Sequence, residues 1–107
     1  MKSGLNYKLS ELAQLQIHFI GIGGAGMSGI ARIMLARGVS ISGSDAKEST
    51  VLAGLQTLGA TVFVGHSASN LGDSEVLVVS SAIDDKNPEV LAAIEKGLEI
   101  LTRAQAL

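Results

Sequence analysis

The sequence has no cysteine and no tryptophan, and among its 107 residues only two phenylalanines, one tyrosine and a single proline. Without cysteine it can form neither a disulfide nor a thiolate-ligated zinc site, which is compatible with a reducing compartment. With aromatics at 3%, platforms for stacking single-stranded nucleic acid are scarce. A net charge of -2 leaves no basic groove for polyanions, so a phosphate bound here must be gripped locally, by backbone. Long apolar runs are missing too. The opening stretch MKSGLNYKLSELAQL has no continuous apolar segment of the kind a secretory signal needs, and no later run reaches membrane-spanning length. These absences predict a soluble, cytoplasmic chain whose partners are neither nucleic acid nor membrane.

What the chain does have is aliphatic residues and glycine, with 47% hydrophobic residues and 13 glycines. Its length suits one domain with a real core and is small for a multi-step enzyme. After a polar leader over 1–15, QIHFIGI (16–22) reads as a buried strand. Met27, Ile30, Ala31, Met34 and Leu35 then recur at helical spacing as core. VSIS (39–42), TVFV (61–64), EVLVVS (75–80) and LEIL (98–101) read as further strands. Val51, Leu52, Leu55 and Leu58 mark a second helix, and NPEVLAAIEKG a third, with Asn87 as N-cap and Pro88 at the first helical position. Gly38, Gly59 and Gly97 stand at the helix-to-strand junctions, where a left-handed cap favours a residue without a Cβ. This layout predicts an α/β fold: a Rossmann-like five-stranded parallel sheet with helices on both faces, formed by residues 16–107 as one domain.

The stretch HFIGIGGAGMSGIA (18–31) concentrates glycine. Gly21, Gly23 and Gly26 fit G-x-G-x-x-G with a strand before and a helix after, the context that gives the pattern meaning. Gly21 permits the tight turn, Gly23 lets a ligand approach the backbone, and Gly26 lets the helix pack on the strand. Gly23 and Gly24 then line an anion site, with the amides of Ala25, Gly26, Met27 and Ser28 as donors at a helix N-terminus and the Ser28 hydroxyl as a further donor. The competing reading is that these glycines serve helix packing alone. Asp45, about twenty residues beyond the loop, stands at the tip of the second strand, where a carboxylate accepts from both ribose hydroxyls. Its competing reading is a cap on the following AKEST segment. Loop and acid together point to a nucleotide with a free 2′-hydroxyl. A dinucleotide site takes two halves and about six strands, so a single nucleotide with a diphosphate fits this length better.

IHFIGIGGAGMSGIARIMLARG, ISGSD, GH, VVSSAI, NPE and the terminal RAQ together resemble the N-terminal domain of the Mur ligases of bacterial peptidoglycan synthesis, over Gln16 to the last residue. The resemblance implies a Rossmann-like domain that binds the UDP part of UDP-N-acetylmuramic acid. In the whole ligase, the muramoyl carboxylate is joined to an amino acid through an acyl phosphate. The glycine loop looks most like that of the alanine-adding member, with the member that recycles murein tripeptide as the alternative.

For His66 in VGHSAS the resemblance implies the uracil side of the site, against a plain turn histidine. Ser80, Ser81, Ala82 and Ile83 follow the fourth strand and open on the same carboxyl edge as the glycine loop. Ser81, Ala82 and Ile83 are expected on the uracil side, against a polar connector. Arg103 either reaches a phosphate or marks the exit towards the next domain. Asn87 and Glu89 suit a cap and a first-turn acid, and His18 a structural role in its strand.

ATP and Mg2+ are implied for the whole ligase, held by its central and C-terminal domains. No G-T-x-G-K-T loop occurs in this sequence. The expectation is a domain that binds substrate without catalytic residues, metal ligands or a cofactor of its own. Two readings lie outside the family: an NAD-binding dehydrogenase fragment and a regulatory nucleotide-sensing domain. Neither gives SSAI or NPE a reason to be there.

Overall fold

The computed structural model describes residues 15–81 and 83–106. The expected leader, apart from Leu15, and Ala82 lie outside the described residues. Strand β1 (Gln16–Ile20) is buried from its second residue on, and helix α1 (Ala25–Ala36) follows it across the glycine loop. The chain continues as β2 (Ser40–Asp45), α2 (Thr50–Thr57) and β3 (Thr61–Val64). After a 3-10 turn at Ala68–Leu71 come β4 (Val76–Val79), α3 (Pro88–Lys96), β5 (Glu99–Thr102) and a short α4 (Arg103–Ala106).

The five strands pair in parallel in the order β3-β2-β1-β4-β5. The order reverses at β1, so the chain crosses to the other half of the sheet beside the glycine loop, the place where open α/β sheets take their ligands. Side chains alternate across the sheet. Ile17, Phe19, Ile41, Val76, Val78 and Leu101 point to one face, under Met27, Ile30 and Ala31 of α1 and Leu52 and Leu55 of α2. Ile20 and Leu77 point to the other, under Leu71, Val90 and Ala93. Fully burying each large aliphatic of this kind contributes about 1.5–3 kcal/mol, so two apolar layers hold the sheet between helices.

The expected strands and main helices are all present, with their ends adjusted. The second strand was expected over 39–42 but runs to Asp45, because Ser44 pairs with Ile20 and Asp45 with Val64. Leu58, expected on the buried stripe of the second helix, lies beyond its last turn and is 52% exposed. There the chain already turns through Gly59 towards β3. Asn87 caps α3 by accepting from the Glu89 amide at 2.9 Å, with Pro88 opening the helix as expected. Gly97 ends α3 at φ 74°, the left-handed cap its position predicts. The 3-10 turn and α4 carry no pattern long enough to be seen in the sequence.

Candidate functional site

Helix α1 differs from its neighbours at its start. Ser49 caps α2 by accepting from the Leu52 amide, and Asn87 caps α3, but the N-cap of α1 is Gly24, with no side chain to offer. No acidic residue stands in the first turn of α1. The Gly24 amide donates to the Gly21 carbonyl at 3.0 Å, and the intrahelical ladder opens with the Ser28 amide on the Gly24 carbonyl at 2.8 Å. The amides of Ala25, Gly26 and Met27 therefore precede the ladder, at the positive end of the helix dipole. Ser28 departs from its expected role. Its amide belongs to the helix, its hydroxyl donates to the Ala25 carbonyl at 3.2 Å, and the residue is buried. Ser28 thus leaves the donor set, because the first residue of the ladder cannot also face an anion.

The loop is clamped to β2. The amides of Gly21 and Ile22 both donate to the Ser44 carbonyl, at 2.8 and 3.1 Å. The Gly23 amide donates to Asp45 Oδ2 at 2.9 Å, while Asp45 Oδ1 accepts from the Ala46 amide at 2.8 Å. This changes the reason for Gly23. A Cβ there would stand 2.8 Å from Asp45 Oδ2 and 3.4 Å from Leu52, so the glycine is required by the acid before any ligand arrives. Nor does Asp45 cap the second helix, a role Ser49 takes. Gly26 serves a different contact from the helix-on-strand packing expected of it. A Cβ on it would run into the guanidinium and Cδ of Arg103, whose side chain crosses the first turn of α1 from the far edge of the sheet. At Gly21, whose φ is 78°, a Cβ would lie 3.7 Å from Ile83 and 3.9 Å from Ser80. The loop after β4 thus flanks the glycine loop, with Ser81 exposed near its start.

His66 is not a free turn histidine. Its Nδ1 lies 2.9 Å from Ser44 Oγ, and its side chain is 21% exposed. Behind it lies a buried polar cluster that sequence reasoning missed. Glu89 is the first-turn acid of α3 that its position suggests, and it is completely buried. Its Oε1 accepts from His18 Nε2 at 2.6 Å and from Ser44 Oγ at 2.7 Å, and its Oε2 from the Ser67 amide at 3.1 Å and Asn70 Nδ2 at 3.0 Å. His18 is structural as expected, and its Nδ1 meets Ser42 Oγ at 2.7 Å. Burial pushes the Glu89 carboxyl up, but the hydrogen bonds from His18, Ser44 and Asn70 and the charge of His18 outweigh it and hold the group at about 2.

One signal could have shown this cluster. His18, Ser42 and Ser44 are polar residues at same-face positions of paired, buried strands, and such residues need partners. Gly43 was missed as well. A Cβ there would stand 2.7 Å from Ile22 Cβ, and an isolated glycine inside a strand marks such close approaches.

A protein-family model described as "Mur ligase family, catalytic domain" matches residues 16–107. The chain belongs to the Mur ligase family. UDP-N-acetylmuramate–L-alanine ligase of Thermobifida fusca is 60% identical over 92 residues, 86% of this chain and 20% of that protein. Among solved structures, the UDP-N-acetylmuramate-alanine ligase of Thermotoga maritima aligns with a TM-score of 0.82 at 37% identity, covering 85% of this chain and 21% of the other. The UDP-N-acetylmuramate:L-alanyl-gamma-D-glutamyl-meso-diaminopimelate ligase of Neisseria meningitides aligns at 0.77 and 33%, covering 85% and 29%. The chain thus spans about a fifth of the length of the curated Mur ligases it matches.

Backbone amides, one carboxylate and one guanidinium meet at the loop. Among the described residues, no three of histidine, aspartate and glutamate come together as metal ligands. No helix among them is long and apolar enough to cross a membrane. A separate cleft of about 210 Å³, lined among others by Gln16, Ser40, Ser42, Asn70 and Asp73, lies towards the amino ends of β1 and β2, the edge opposite the glycine loop.

Proposed function

We propose that this chain is the substrate-binding domain of an ATP-dependent ligase, holding the UDP part of UDP-N-acetylmuramic acid while other domains of the same polypeptide join its carboxylate to L-alanine. The observation that carries the reading is the start of α1. Three amides precede the hydrogen-bond ladder, no side chain caps them, and the Arg103 guanidinium lies across the same turn. A diphosphate supplies the charge that this arrangement lacks. Gly23 and Gly24 line its site, Asp45 stands at the β2 tip for the ribose, and His66, Ser81, Ala82 and Ile83 take the uracil side. The domain spans residues 16–107. ATP and Mg2+ are bound elsewhere in the ligase, and its setting is the cytoplasm, where peptidoglycan precursors are assembled.

A second reading within the family is the ligase that recycles murein tripeptide, favoured by the likeness to the Neisseria meningitides structure. The 60% identity to an alanine-adding relative, against 33% to that structure, supports the first. Calorimetric titration with UDP-N-acetylmuramate, UDP and NADH tests the class. Saturable heat with both UDP compounds and none with NADH is expected. Binding of NADH in preference to UDP would return the chain to the dehydrogenase reading.

A further inference from the structure

The cluster behind His66 does more than fill the second face of the sheet. Every hydrogen bond to the Glu89 carboxylate comes from a donor: His18 Nε2, the Ser44 hydroxyl, the Ser67 amide and Asn70 Nδ2, and His66 Nδ1 lies 3.6 Å from its Oε2. A serine hydroxyl has one proton, and that of Ser44 is committed to Glu89 Oε1 at 2.7 Å. At its other contact, 2.9 Å away, Ser44 Oγ must therefore accept, so His66 Nδ1 carries the proton. In the neutral ring only one nitrogen is protonated, and Nε2 is left as an acceptor. Nε2 has no partner among the described residues, and the ring is partly exposed where the chain leaves β3 at the carboxyl edge.

We infer that Glu89 and Ser44 are positioning residues that fix the Nδ1-protonated tautomer of His66, so that its Nε2 accepts a hydrogen bond from the N3–H of uracil and rejects cytosine. Cytosine presents an acceptor at N3, and two acceptors facing each other lose the hydrogen bond and leave both groups unsatisfied. The same carboxylate, through Ser67 and Asn70, holds the backbone that carries His66. Base choice is thereby set from the interior of the domain, by residues with no contact to the base. This rests on the proposed uridine site.

Two measurements on the whole chain test it. The first needs no variant: a long-range proton–nitrogen spectrum of the histidine rings at about pH 8, where an unperturbed imidazole is neutral. His66 is expected with Nδ1 protonated, and a ring protonated at Nε2 overturns the inference. The second compares UDP with CDP. The unmodified chain is expected to prefer UDP, and Ser44→Ala to lower that preference about tenfold and let the ring populate the other tautomer. Equal binding of UDP and CDP by the unmodified chain, or an unchanged preference in Ser44→Ala, ends this inference and leaves the diphosphate site intact. Failure to bind either nucleotide ends both.

Discussion

The two faces of the sheet are built on different principles. Under α1 and α2 the layer is aliphatic, with Phe19 as its one aromatic among the described residues, and each residue there is replaceable by another of similar volume at modest cost. Under α3 the layer holds Ile20, Leu71 and Leu77, but beside them lies a histidine–glutamate pair with no solvent contact, wired to Ser42, Ser44, Ser67 and Asn70. The apolar face supplies stability that tolerates change. The polar face is all-or-none, since each partner removed leaves others buried and unsatisfied. Both converge on Ser44, whose carbonyl clamps the glycine loop and whose hydroxyl belongs to the cluster.

The largest expected effect breaks the polar face. Glu89→Ala leaves His18 Nε2 buried without its acceptor and takes one from the buried Ser44 hydroxyl; it should cost about 3–5 kcal/mol in urea unfolding, more than a surface change on the same helix by a wide margin. A loss below about 1 kcal/mol would mean the cluster is dispensable.

Acid should pull the faces apart more gently. The Glu89 carboxyl sits at about 2 in the folded chain against an ordinary 4.5. Folding therefore gains about 3 kcal/mol from it above the ordinary range, lost as pH falls from there towards the folded value. Unfolding midpoints followed down this range should decline in the natural chain and show a smaller decline in Glu89→Gln. Parallel declines would assign the loss to other carboxylates.

At the glycine loop the effects are smaller and fall on binding. Gly26→Ala must displace the Arg103 side chain from the first turn of α1. The expected result is UDP affinity lowered several-fold, about 1 kcal/mol, with folding stability nearly unchanged, because a flexible side chain gives way at little cost. Gly29 provides the contrast within the same helix. A Cβ there meets nothing within 4 Å, so Gly29→Ala should raise stability by about 0.5–1 kcal/mol and leave UDP binding alone. Equal effects of the two substitutions on UDP affinity would remove the distinction between loop and helix glycines.

The contrast also explains what could be read from the chain. The strands, the helices and the glycine loop are contiguous patterns, so periodicity and spacing expose them: Asn87 with Pro88 announces α3, and Gly21 with Gly23 announces the loop. The cluster unites residues from 18, 42–44, 66–70 and 89, and nothing local in NPE distinguishes a buried carboxylate from a solvated first-turn acid. Arg103 on Gly26 is equally remote, and only the folded sheet brings the last strand's exit to the first helix. The part of Ser28 is not legible for a local reason: the motif marks where amides gather but not which amide starts the ladder.

The start of α1 is proposed to hold a nucleoside diphosphate. Titration of the nitrogen-15-labelled chain with UDP tests it most directly. Saturable shifts should be largest at the amides of Ala25, Gly26 and Met27 and small at Ser28, whose amide is already bonded to Gly24. Shifts centred instead on the cleft lined by Ser42, Asn70 and Asp73, or no saturable shift at all, would show that the diphosphate does not bind there.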